Sequence, residues 1–275
     1  MKGKDIVSLI DKYQSLNLSD ILHHDKFLHY ALTFHSTAIE GSTLTEIEIR
    51  LLLDEGITPG GKPLEHSQMV KDHYDALSFT LEQARSKTPV SAALLQHINA
   101  HIMKSTGGIY HTVLGDVIAA KGEYRKGNVS AGGYYFVSYD KVPQHTKQLA
   151  ETIRIQSERV TTTEENLELA FRAHFDLVTI HPFYDGNGRT SRLLMNFLLE
   201  RSSLPLCILY KEDKAIYYEV LQKGQQQGNQ QPFFEFMYQQ YEKHLKEEII
   251  KAQGLSLKEP KRGEVYDLWL RKGKH

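Results

Sequence analysis

The sequence predicts a mainly α-helical chain, and three features predict it. Apolar residues recur at helical spacing through most of the 275 residues, and glycine, proline or capping residues fall where those stretches end. Only residues 122–137 are rich enough in glycine, aromatic and β-branched side chains to read as strands. The expected architecture is a helical bundle carrying one short β-hairpin. A chain of this length encloses a substantial core, as one large domain or two small ones.

Taken in order, residues 5–16 form a short helix burying Ile6, Leu9 and Ile10. Ser19 offers the N-cap of a longer helix in which Ile21, Leu22, Leu28, Ala31, Leu32 and Ile39 recur, and Gly41 ends it. Thr43-x-x-Glu46 is a capping box for a third helix through Leu53, stopped by Gly56. The turn-rich residues 57–64 set the expected boundary between an N-terminal segment, 1–60, and a body, 61–250. In the body, residues 65–85 and 91–103 read as helices, the second with Leu94, Leu95, Ile98 and Ile102 inward. His97 and His101 are spaced like metal ligands on it, but no third ligand accompanies them, so surface or core positions are expected. Helices follow at 142–157, 164–180, 213–223 and 233 to about 251. Residues 224–231, polar and without apolar periodicity, are expected to be a loop. In the charged tail, 251–275, Val265, Tyr266, Leu268, Trp269 and Leu270 could dock as a small element. There are no convincing internal repeats.

Thirty-three Lys and Arg stand against 34 Asp and Glu, so no basic footprint points to nucleic acid. A single cysteine, Cys207, excludes an internal disulfide framework and fits a reducing compartment. No run approaches membrane-spanning length and no apolar leader follows Met1, so a cytoplasmic protein is expected.

Chemistry concentrates in His181-Pro182-Phe183-Tyr184-Asp185-Gly186-Asn187-Gly188-Arg189-Thr190-Ser191-Arg192. The helical phase upstream puts His174, Val178 and His181 on one face, and Pro182 stops that helix. Gly186, Asn187 and Gly188 can adopt the positive φ angles that aim successive N–H groups into an anion nest. A helix starting at Arg189 would point its positive end at the same spot, with Arg189 and Arg192 on one face. Asp185 is tolerable beside an anion only if a hard cation such as Mg²⁺ lies between them. The stretch reads as a phosphate site with an imidazole able to accept a hydroxyl proton.

This stretch resembles the Fic family signature, His-Pro-Phe-x-(Asp/Glu)-Gly-Asn-Gly-Arg-x-x-Arg, with every fixed position present. The resemblance implies a mostly helical fold that transfers part of a nucleotide, usually AMP from ATP, to a Ser, Thr or Tyr hydroxyl of a target protein. It gives His181 the role of base and Asp185 that of Mg²⁺ ligand. Gly186, Asn187 and Gly188 would form the phosphate cradle, Arg189 and Arg192 would neutralise the β- and γ-phosphates, and Thr190 and Ser191 belong to the same nucleotide-binding stretch.

A second motif lies upstream. Ser36-Thr37-Ala38-Ile39-Glu40-Gly41 resembles the family's inhibitory motif, in which Glu40 would pair with Arg192 and occupy the γ-phosphate site. Ser36, one turn away, can orient the Glu40 carboxylate. Gly122, Arg125 and Val129 resemble the family's flap, which implies that a target segment adds as a strand along residues Val129 to Tyr135. Gly132 and Gly133 in that hairpin and Tyr217 and Tyr218 further on are expected to line the nucleotide site. The resemblance also leaves open other nucleotide donors, removal of AMP, self-modification and a homodimer, although no residue pattern specifies an interface. From other classes, His23-His24-Asp25 has the dyad of metal-dependent phosphohydrolases without a distal His/Asp set. A nucleotide-binding regulator is the third reading, and His181 speaks against it because binding alone needs no base.

Overall fold

Nearly every apolar period in the sequence becomes a helix. The computed structural model describes residues 3–18 and 23–256. Its helices run in the order α1 (Gly3–Gln14), α2 (His24–Ile39), α3 (Glu46–Glu55), α4 (Leu64–Arg85), α5 (Ala92–Ile102), α6 (Val142–Ser157), α7 (Thr163–Ile180), α8 (Asn187–Arg201), α9 (Lys214–Gln227) and α10 (Gln231–Ser256). Two antiparallel hairpins lie between α5 and α6. The first pairs β1 (Ile109–Tyr110) with β2 (Val117–Ile118), the second β3 (Ser130–Ala131) with β4 (Tyr134–Tyr135).

α7 and α8 form the central pair, with α4 and α5 on α8, α6 on α7, and α10 closing the bundle against α1, α7 and α9. Leu193, Leu194, Met195, Phe197, Leu198 and Leu199 leave α8 no polar face, so it must be an interior helix. Its polar residues Asn187, Arg189, Thr190, Ser191, Arg192 and Asn196 are carried inside with it. Each therefore needs a partner, because an unpaired buried polar group is costly. α2 lies across α4 and α8, and α3 is held to it by Phe34, Leu44, Ile49, Leu52 and Val70. That packing brings the end of α2 to the start of α8. Among the described residues no helix is long and apolar enough to cross a membrane.

Several expectations change on the structure. The capping box of α3 is Thr45 with Glu48, not Thr43 with Glu46. Two overlapping frames compete in Thr43-Leu44-Thr45-Glu46-Ile47-Glu48, and Thr43 is taken by His66, whose Nδ1 lies 3.2 Å from its N–H. α8 begins at Asn187 and not Arg189, since only Gly186 of the expected nest has a positive φ. Residues 224–227, expected in a loop, continue α9 until Gly228 turns left-handed. Glutamine is a good helix former, and Gly224 is there for closeness: an added Cβ would sit 2.7 Å from the Phe175 ring. The first hairpin is not legible from periodicity, because its strands are two residues each. Ser19, Ile21, Leu22 and the tail residues 265–270 lie outside the described residues.

An alanine inside a helix normally gains ~1 kcal/mol over glycine. At Gly224 the Phe175 ring reverses that sign, and overpacking of this kind costs ~1–3 kcal/mol. Thermal melting should therefore show Gly224→Ala below the parent chain, while Gly60→Ala, whose Cβ meets open space, does not fall.

Candidate active site

α7 is started by a capping box, Thr162 with Glu165, and ended by Pro182, which keeps its predecessor out of the right-handed helix. His181 accordingly turns left-handed (φ 53°, ψ 59°) while its N–H still closes on the Leu177 carbonyl at 3.0 Å. Its ring thus leaves the face shared by His174 and Val178 and stacks on Phe136, centroids 4.0 Å apart and planes within 18°. Nδ1 is directed at the Val178 carbonyl at 3.4 Å, which leaves Nε2 as the acceptor. Burial pushes the imidazole pKa down to about 4; the Val178 carbonyl opposes this, the Arg125 charge adds to it, and the Asp185 and Glu40 carboxylates oppose it. The ring is a neutral base at physiological pH.

The turn after His181 is fixed by side chains. Asn187 donates to the Phe183 carbonyl at 2.8 Å and accepts from the Phe183 N–H at 3.0 Å. The Thr190 and Ser191 hydroxyls each donate at 2.8 Å, to the Gly186 and Asn187 carbonyls. Asn99 of α5 reaches across to the Asp185 carbonyl at 3.1 Å and to the Thr190 hydroxyl at 3.2 Å. Gly186 is required twice over, by its φ of 79° and by Asn99 Nδ2, 2.7 Å from where a Cβ would stand. Asn187, Thr190 and Ser191 therefore hold the turn with their side chains; the Thr190 N–H closes on the Gly186 carbonyl at 2.8 Å, so the backbone donors left for an anion are those of the first turn of α8 before it.

Two guanidiniums lie under that array. Arg189, 2% exposed, gives Nη2 to Asp185 Oδ1 at 3.2 Å, while its Nε and Nη1 have no partner. Arg192, 3% exposed, gives Nε to the Ser36 hydroxyl at 2.9 Å and Nη2 to the Ser36 carbonyl at 3.0 Å and Glu40 Oε1 at 2.7 Å; its Nη1 is unpartnered. Ser36 thus serves Arg192 directly instead of orienting Glu40. The Glu40 carboxylate overhangs Gly188, whose added Cβ would come within 2.6 Å of Oε1. Two histidines beside Arg192 are held neutral by burial, His174 pushed down to about 3 and His73 well below its ordinary value.

The expected tyrosine pair divides. Tyr217 is core, 1% exposed with its hydroxyl 2.9 Å from His174 Nε2, and only Tyr218 shows its ring, 43% exposed. Gly132 and Gly133 form the turn of the second hairpin with φ of 56° and 78°, the pattern of a tight two-residue connection. Gln222 of α9 donates to the Gly132 carbonyl. The Phe136 N–H extends the hairpin by pairing with the Val129 carbonyl at 3.2 Å. Arg125, expected only as part of the flap motif, has a wider part: its guanidinium, 1% exposed, bonds the carbonyls of His181, Gly127 and Val137 at 2.8, 2.9 and 2.5 Å. Its place in the Gly122–Val129 stretch was the available signal; Asn99, one polar residue on an inward helix face, offered none.

Other candidates are placed elsewhere. His101 stacks on Phe79 with centroids 4.4 Å apart. His24 puts its ring nitrogens on Asp25 and Glu248, at 3.4 and 3.2 Å. Among the described residues no three His, Cys, Asp or Glu are grouped to hold a metal ion.

Residues 89–199 match the model of the Fic/DOC family. The chain is 33% identical over 226 residues to a protein adenylyltransferase Fic of Drosophila erecta and 34% identical to that of Drosophila melanogaster, covering 80% of this chain and 42% of each relative. It therefore spans about two fifths of the length of these curated relatives. A Fic domain containing signaling protein from Bacteroides thetaiotaomicron superposes with a TM-score of 0.77 at 26% identity, over 93% of this chain and 99% of that one. A segment of Fic-1 from C. elegans does so with a TM-score of 0.72 at 24% identity, over 90% and 72%. The helical fold is that of these proteins, and residues 89–199 are a domain of the Fic/DOC family.

Proposed function

We propose that this chain is a protein adenylyltransferase that moves AMP from ATP to a hydroxyl of a target protein, and that Glu40 holds it inactive. The observation that carries the reading is one helix end. Three guanidinium nitrogens without partners, the open N–H groups of α8, and a neutral imidazole meet there. Anionic phosphates satisfy the first two, and a hydroxyl proton suits the third. The relatives named as protein adenylyltransferases support an adenylyl group as what is moved and a protein as its acceptor.

His181 Nε2 takes the proton of a Ser, Thr or Tyr hydroxyl as that oxygen attacks the α-phosphorus in line. The bond to the bridging oxygen breaks and pyrophosphate leaves, its growing charge met by Arg189, Arg192 and the α8 amides. Asp185 fits a Mg²⁺ site: its side chain is 53% exposed, one oxygen is committed to Arg189 and the Gly186 N–H, and the other has no protein partner. A single carboxylate completed by water and phosphate oxygens is how Mg²⁺ is commonly held, and the ion would supply charge neutralisation on the triphosphate. A target segment would lie along Val129 to Tyr135, beside the His181 ring. Residues 1–60 would act as the inhibitory segment and 61–250 as the catalytic body.

With Glu40 on Arg192, the γ-phosphate has lost its guanidinium. Each ~1.4 kcal/mol favouring that pair lowers the active population tenfold. Labelling with α-³²P-labelled ATP and Mg²⁺ should be strong for Glu40→Gly, faint for the native chain, and absent for Glu40→Gly/His181→Ala; label on the chain itself would report self-modification. No label on Glu40→Gly despite ATP binding would rule out the ATP reading, and other nucleotides would then be run in the same assay.

The same pair predicts a stability effect of opposite sense. Glu40 is the carboxylate compensating a 97% buried cation, so its loss leaves that charge unpaired. The Glu40 side chain is itself 25% exposed, which tempers the cost to ~1–3 kcal/mol. Calorimetry should find Glu40→Ala melting below the parent chain, and pyrophosphate should recover more of the loss than it adds to the parent.

A further inference from the structure

Burying a guanidinium without a carboxylate beside it is costly, and it persists only where hydrogen bonds replace the hydration completely. Arg125 is such a case. Among the described residues no Asp or Glu pairs with it, and its N–H groups go to backbone carbonyls alone. Those carbonyls come from segments that the transfer reaction needs together. Ile180 and His181 end α7, at 3.5 and 2.8 Å; Gly127 enters the second hairpin, and Val137 leaves it. The Arg125 N–H also donates to the Pro182 carbonyl at 3.0 Å. Next to Val137, Phe136 carries the ring on which the His181 imidazole stacks.

Resting on the adenylyltransferase reading, we propose that Arg125 is a positioning residue for the transfer step, clamping the left-handed His181 backbone to both arms of the hairpin that presents the target hydroxyl. Its five N–H donors form a planar fork that a lysine cannot reproduce. One side chain thereby sets the height of the imidazole above the strand edge. Misplacement of a reacting pair by about 1 Å costs on the order of a hundredfold in rate. The triphosphate would sit on the α8 amides and not on the hairpin arms that Arg125 holds, so kcat is expected to move more than KM for ATP.

The charge has a second effect. The ionisable groups facing His181 are Arg125, Asp185 behind the turn and Glu40 on α2, and Arg125 is the cation among them. Without it the carboxylates act unopposed, Asp185 alone where Glu40 is replaced, and the imidazole pKa rises relative to the same chain with Arg125 present. Because the neutral ring is the reactive form, the acid limb of the rate profile then moves to higher pH.

The test compares Glu40→Gly with Glu40→Gly/Arg125→Met and Glu40→Gly/Arg125→Lys. Labelling rates are taken against ATP concentration between about pH 4 and pH 8, and the His181 ring is titrated by NMR on chains carrying ¹³C-labelled histidine. The expected result is kcat lowered at least about tenfold in both Arg125 variants, with KM for ATP within about twofold. The acid limb and the His181 titration move up in Arg125→Met and stay in Arg125→Lys. A loss in kcat matched by a rise in KM, or an unmoved limb in Arg125→Met, overturns the proposal. Should Arg125→Met not fold, Arg125→Lys decides alone: unchanged kcat overturns the clamp, and lowered kcat at unchanged KM supports it. If Glu40→Gly itself transfers no AMP, the functional reading fails, and the NMR titration still decides whether Arg125 governs the imidazole.

Discussion

A guanidinium keeps its charge at any pH a protein meets, and α8 carries Arg192 into the middle of the fold. Everything around that charge is arranged to tolerate it. The neighbouring histidines are neutral, the Ser36 hydroxyl and carbonyl face it, and Glu40 supplies the negative charge. α2 is thus no appendage: it provides the groups without which the end of α8 would not sit buried at all. Helix packing and charge compensation thus share one contact.

The turn before α8 follows a different logic. Its polar side chains look like ligands in the sequence, yet Asn187, Thr190 and Ser191 are spent on neighbouring carbonyls and amides. Rigidity is what they contribute. With the side chains occupied, the first backbone amides of α8 and the helix dipole remain aimed at one spot, beneath the Glu40 carboxylate that overhangs Gly188.

Much of this was readable from the chain, for identifiable reasons. Long amphipathic periods gave α4, α5, α6, α7 and α10, because burial on one face dictates the pattern. The Glu40–Arg192 pair was readable because both residues sit in compact motifs. Three features were not. Which of two overlapping Thr-x-x-Glu frames caps α3 depends on His66, a residue outside the local pattern. The helical 224–227 segment has no apolar face of its own and is kept in place by α7. Arg125 is legible as part of a motif, but its function lies in carbonyls 55 and 56 residues away, and backbone acceptors leave no trace in side-chain pattern.

One local conformation has a wider consequence. A left-handed backbone costs a non-glycine residue about 1–3 kcal/mol, and His181 occupies one where Pro182 ends α7, which turns its ring off the helix. Glycine at that position would relax the main chain while abolishing the base. At this one position, backbone stability and the presence of an imidazole pull in opposite directions.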